Sequence, residues 1–148
     1  MKNPTEEMLQ QVYVGARCGC EAINGMLPKI TDKHLLAETA AQLEMYSALS
    51  SRAEQMLQEK SLGKPSFPLS NRLSVRGGVM METMGNPSQE ELSRILRVSS
   101  RDSANRMRSA VADLSGSGCD EDALALGQRM MAFEIAETER LGLLQCGG

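Results

Sequence analysis

The stretch TDKHLLAETAAQLEMYSALSSRAEQMLQEK, residues 31–60, decides the fold. Leu35, Leu36, Thr39, Leu43, Tyr46, Leu49, Ala53, Met56 and Leu57 recur along it at intervals of three and four. That spacing lines one side of an α-helix, and Thr31 or Asp32 supplies the oxygen that caps its first turn. Upstream, residues 5–27 repeat the pattern through Met8, Leu9, Val12, Ala16, Gly19, Ile23 and Met26, and Pro28 ends the run. Glu6 and Glu7 sit in the first turn, where negative charge is favourable. Gly15 and Gly19 either weaken this helix or let a neighbour approach closely.

Downstream, SLGKPSFP at 61–68 carries a glycine and two prolines and breaks the helical pattern. A short helix is expected over 69–85, stopped by Gly85-Asn86-Pro87. A new one follows over 88–114: Asn86 or Ser88 caps it, Pro87 suits its first turn, and Ser88-x-x-Glu91 reads as a capping box. Its face is Leu92, Ile95, Leu96, Ser99, Ser103, Met107, Ala110 and Leu114. After the flexible Ser115-Gly116-Ser117-Gly118, Asp120 opens a last helix over 120–144 with Leu124, Gly127, Met130, Met131, Leu141 and Leu144 on one line. No stretch alternates with a period of two, so no strand is expected, and no internal repeat is visible.

Length arithmetic then restricts the topology. At ~1.5 Å per residue the first, second and last helices are roughly 34, 43 and 37 Å long. An unbroken helix over 69–114 would reach roughly 69 Å and overshoot them. A bend at Gly85-Asn86-Pro87 leaves 88–114 as a matched fourth member, with a long middle crossover carrying its own short helix. That is the ferritin-like four-helix arrangement; a kinked third helix in plain up-down order is the alternative.

Composition agrees with an all-α domain spanning residues 1–148. Of 148 residues 41% are hydrophobic, with no Trp, two Tyr, two Phe and eleven Met, a supply suited to packed helices rather than an aromatic-rich sandwich. A net charge of −3 argues against nucleic acid as a partner. The N-terminus lacks an apolar signal region, and no run approaches the ~18 apolar residues of a membrane span. A cytoplasmic location without a membrane partner is expected, and Cys18, Cys20, Cys119 and Cys146 are expected as reduced thiols. The closing Gln-Cys-Gly-Gly reads as a frayed tail.

VYVGARCGCEAINGMLPKITDKHLLAETAAQLEMYSALSSRAEQMLQ, residues 12–58, resembles the first two helices of a family of small uncharacterised bacterial proteins in the ferritin-like superfamily. The resemblance extends to AFEIAE, residues 132–137. It implies a di-metal centre built from a Glu on each of two helices and a Glu-x-x-His on each of the others. The residues here depart from that set. The single histidine, His34, lies off the apolar stripe; Ser47 and Glu137 stand where the histidines of Glu44-x-x-His and Glu134-x-x-His would be. Helical-wheel angles also turn Glu21 and Glu44 away from their apolar arcs.

The last helix carries the least expected feature. Glu134 lies in the middle of its apolar line and Glu137 on the flank, so each needs a partner, a metal or a proton. Arg106 falls on the inward side of its helix and Arg76 between Leu73 and Met80, whereas Arg94, Arg97, Arg101 and Arg108 line the opposite, solvent face. The expected arrangement pairs Glu134, with Glu137, to Arg106 where a metal would sit in active relatives; a modest helix rotation would take both groups to the rim. The alternative is an iron or manganese site using Glu134 and Glu137 with Glu38 or Glu54.

Met80-Met81 with Met84, and Met130-Met131, read as core or interface filler. No glycine-rich phosphate loop, nucleophile triad or zinc-type CxxC is present. The sequence therefore points to a non-catalytic ferritin-like bundle, a structural or protein-interaction module that self-associates as a dimer and needs no cofactor. A carboxylate-based metal-binding protein in iron handling or oxidative-stress protection is the alternative.

Overall fold

The computed structural model describes residues 3–144. It contains α1 (Pro4–Met26), a single 3-10 turn (Leu27–Lys29), α2 (Lys33–Glu59), α3 (Leu69–Glu82), α4 (Gln89–Leu114) and α5 (Glu121–Leu143). All the regular structure among the described residues is helical. Cys146 and the rest of the expected tail lie outside them. No helix among the described residues is long and apolar enough to cross a membrane.

Helix starts follow the acceptors that the sequence supplies. Asn3 Oδ1 accepts from the backbone of Thr5 and Glu6 (2.9 and 3.2 Å), Asp32 Oδ1 from His34 and Leu35 (3.0 and 2.9 Å), and Ser88 Oγ from Glu91 (3.0 Å). One expectation is corrected here. Glu91 does not close a capping box, because its carboxylate turns to Arg94. Asp120 spends its side chain on Lys60 (3.0 Å) while its N–H donates to Thr5 Oγ1 (2.8 Å), tying the start of α5 to the start of α1 and the end of α2.

The chain is broken, not kinked, before α4. α3 ends three residues earlier than expected, and Gly85 adopts φ 83°, a left-handed turn that glycine takes without steric cost. Gln89, the first residue of α4, bonds Lys29 O, Thr31 N and Asp32 N. The starts of α2 and α4 thus coincide, and the plain up-down alternative is excluded. α5 runs back against α2, with Lys60 at Asp120, Tyr46 at Glu134 and Glu38 at Arg140.

The four long helices share one hydrophobic core that includes Met8, Leu9, Leu35, Leu49, Met56, Leu57, Leu92, Met107 and Met130. α3 reaches it only through Val79 and lies along α1, where Val79 packs on Gly25 and Arg72 and Arg76 reach Glu21. Gly19 serves close approach: a Cβ there would sit 2.6 Å from the Tyr46 ring. Leu36, expected on the α2 stripe, is 43% exposed.

The middle of α4 also departs from its expected face. Ser93, Leu96, Ser100, Ala104 and Met107 are buried, whereas Ser99 is exposed. At ~100° per residue this turns the buried arc roughly 45° away from Arg106. On α5, Ala123 and Leu126 are buried and Leu124 only half-buried.

Candidate functional site

A seam of polar side chains runs through the contact of α2, α4 and α5. Helical spacing brings Glu134 and Glu137 to the buried face of α5, at 0% and 1% exposure. Across from Glu134, the Tyr46 hydroxyl donates to Oε2 at 2.8 Å, and its ring packs edge-on against Phe133 with centroids 5.2 Å apart. Among the described residues Glu134 Oε1 has no well-formed hydrogen bond. Burial pushes the Glu134 carboxyl above its ordinary range, against the opposing pull of the Tyr46 and Ser103 hydroxyls and the more distant Arg106 charge. The phenol of Tyr46 is raised well above its usual value, first by burial and then by the Glu134 charge.

One turn further along α5, Arg140 Nε donates to Glu137 Oε1 and Glu38 Oε1, both at 2.9 Å. Its Nη2 also reaches Glu137 Oε1. Among the described residues Glu137 Oε2 is buried without a well-formed hydrogen bond. Burial and the adjoining Glu38 carboxyl raise Glu137 to about 7, and Arg140 opposes them. Gln42 extends the seam to α4 by donating to Ser100 Oγ at 3.2 Å, its own Oε1 unpartnered among the described residues.

The predicted residues are only partly brought together. Arg106 is exposed, forms no ion pair among the described residues, and donates to Ser103 at 3.3 Å. The expected Arg106–Glu134 pair therefore does not form, because the turn of α4 carries the guanidinium to the rim. Arg76 serves Glu21 on the outside of α1 (2.7 Å) rather than an internal carboxylate. Glu21, expected to face away, is 8% exposed because α3 covers it. Glu38 is half-buried beside Glu137, whereas Glu54 is exposed; Glu44 and His34 are exposed as well. Sixteen positions of α2, about 24 Å, separate Glu38 from Glu54.

These donors do not suit the di-metal centre implied by the resemblance. Among the described residues no three His, Cys, Asp or Glu side chains are grouped to hold an ion. The Arg140 guanidinium already provides a positive charge between Glu38 and Glu137.

Tyr46, Arg140 and Gln42 were missed as seam members. Tyr46 carried a usable signal, since a phenol on an apolar stripe needs a partner for its hydroxyl. Arg140 carried another, lying three residues beyond Glu137 on one helix face.

The outer surface is uneven. Arg94 pairs with Glu91, Arg101 lies 3.8 Å from Asp102, and Arg108 donates to Asn105 at 3.4 Å, so the arginine row is largely engaged with local groups. α3 and the turn after it instead present Leu69, Leu73, Met80, Met81 and Met84 to solvent, each 62–75% exposed. No family model, curated protein or solved structure matches the chain.

Proposed function

We propose that this chain is a non-catalytic, ferritin-like helical bundle that works as an interaction module and pairs with a second copy of itself through α3. The observation behind this reading is the bare apolar stripe on that helix. Leu69, Leu73, Gly77 and Met80 recur at four, four and three residues, and Met84 extends the line just past the helix end. Their exposed side chains, with Met81, amount to on the order of 600 Å² of apolar surface, as much as a typical monomer leaves open. A standard interface needs ~800 Å² from each partner.

The stripe is nearly symmetric about Gly77, where an added Cβ would meet nothing within 4 Å. Antiparallel pairing of two α3 helices brings the two copies of Gly77 together and sets each Leu69–Leu73 pair against Met80 and, past the helix end, Met84. Such self-complementarity suits a two-fold dimer. The charges flanking the stripe are already engaged, Arg72 and Arg76 by Glu21.

Size-exclusion chromatography with light scattering tests the reading. A dimer is expected at micromolar concentration, and Leu73→Glu with Met80→Glu converts it to a folded monomer. A wild-type monomer across that range rejects the proposal, as does a dimer that survives both substitutions.

The metal-binding alternative rests on the unpartnered Glu134 Oε1 and Glu137 Oε2. Burial offers another account, since it raises both carboxyls toward the neutral form, which needs no cation. Calorimetric titration of metal-free protein with iron, manganese or zinc is expected to give no saturable heat at micromolar metal. A stoichiometric isotherm lost in Glu137→Gln would favour the alternative.

A further inference from the structure

A groove of about 810 Å³ opens between α1 and the C-terminal half of α4, with Met130 of α5 at its base. The volume lies within the range of small-molecule sites. Its floor is apolar: Val14, Gly15, Met107 and Met130 line it. Gly15 keeps it deep, because a Cβ there would stand 3.0 Å from the Met130 methyl.

The two ends differ in charge. Arg106 and Ser103 stand at one end, and Glu6 and Glu7 lie toward the other. Arg76, Arg94 and Arg140 all have carboxylate partners. Arg106 has none among the described residues, and of its five donor N–H groups only the contact to Ser103 is used. Glu134, the internal carboxyl expected to take it, is bonded to Tyr46 instead.

A guanidinium fork with free donors at the head of an apolar trough suits a planar carboxylate with a hydrocarbon chain. The acidic far end disfavours a second anion. From Cys18 back to Glu7 the α1 wall runs about 16 Å, enough for an extended medium-chain tail.

We infer that the α1–α4 groove is a binding site for an amphipathic monocarboxylate of the medium-chain fatty-acid class, with its head on Arg106 and Ser103 and its tail over Val14, Gly15, Met107 and Met130. This site is separate from the α3 stripe and does not depend on dimer formation.

Calorimetry of the full chain with decanoate, below micelle-forming concentrations, tests the site. Saturable binding of one decanoate per chain is expected. Arg106→Ala weakens it at least tenfold, and Gln11→Trp, an exposed groove-wall position, abolishes it by filling the trough. Circular dichroism confirms that both variants keep wild-type helicity. Decyltrimethylammonium, with the same chain and the opposite head, binds at least tenfold more weakly than decanoate.

A second readout uses the half-buried Cys18 on the groove wall. Decanoate slows its alkylation by iodoacetamide, followed peptide by peptide, while Cys20 and Cys119 react at unchanged rates. Absence of decanoate binding overturns the inference. So does binding that survives both substitutions, or equal affinity for the cationic analogue.

Discussion

At the residue scale, the buried carboxyls of α5 set how the protein responds to pH. Glu137 titrates near 7 when folded, against an ordinary value of 4.5. Between those values the native state binds more protons than the unfolded chain, so stability falls as pH rises through the window. Glu134 contributes with the same sign. Urea midpoints are expected to be lower at pH 7.5 than at pH 5, with a shallower slope in Glu137→Gln; a flat or rising wild-type profile contradicts the assignment. Tyr46→Phe removes the close hydrogen bond to Glu134 Oε2 and costs about 1–3 kcal/mol, because a buried acceptor loses its donor. Adding Glu134→Leu recovers much of that loss, since two apolar groups need no partner. A double-mutant cycle by denaturant unfolding measures the coupling, and strictly additive losses would reject it.

At the element scale, glycines of the same helical type have opposite worth according to their surroundings. Gly19→Ala improves intrinsic helix propensity by about 1 kcal/mol. It nevertheless forces a methyl into the Tyr46 ring at 2.6 Å, and overpacking of that kind costs about 1–3 kcal/mol. A net loss is expected. Gly78→Ala meets nothing within 4 Å, lies off the Leu69–Met84 stripe, and stabilises α3 by roughly 0.5–1 kcal/mol. Thermal unfolding of the two variants should shift in opposite directions. The sequence left Gly19 open between weakening the helix and admitting a neighbour. Only the position of the Tyr46 ring decides it, since Tyr46 belongs to another helix.

At the scale of the whole molecule, the crossover determines which polar groups are inside. α3 lies on the outer side of α1, so Glu21 is covered there and draws in both Arg72 and Arg76. Glu21→Ala leaves two guanidinium groups without their acceptor and loosens this docking. Limited proteolysis is expected to cut within 61–68 faster in that variant, with α1, α2, α4 and α5 still protected. An unchanged cleavage rate would show that Val79 and its apolar neighbours hold α3 without the ion pairs. The same docking turns the remaining face of α3 to solvent, where the proposed pairing of two copies acts.

Local chemistry determined much of this protein in advance. The stripe spacing of α2, the Asp32 and Ser88 caps and the break at Gly85-Asn86-Pro87 depend on residues within a few positions of one another, and helices form on that range. The burial of Glu134 was legible for the same reason, from the apolar line of α5. Its partner was not. A rotation of roughly 45° in α4 separates an internal Arg106 from one on the rim, and that rotation is set by packing of Ser93, Ser100 and Ala104 against other helices. The choice of Tyr46 for Glu134, Arg140 for Glu137 and Glu21 for Arg76 depends on distances between elements far apart in sequence. Those distances exist only once the core has closed, which is why tertiary structure alone decided them.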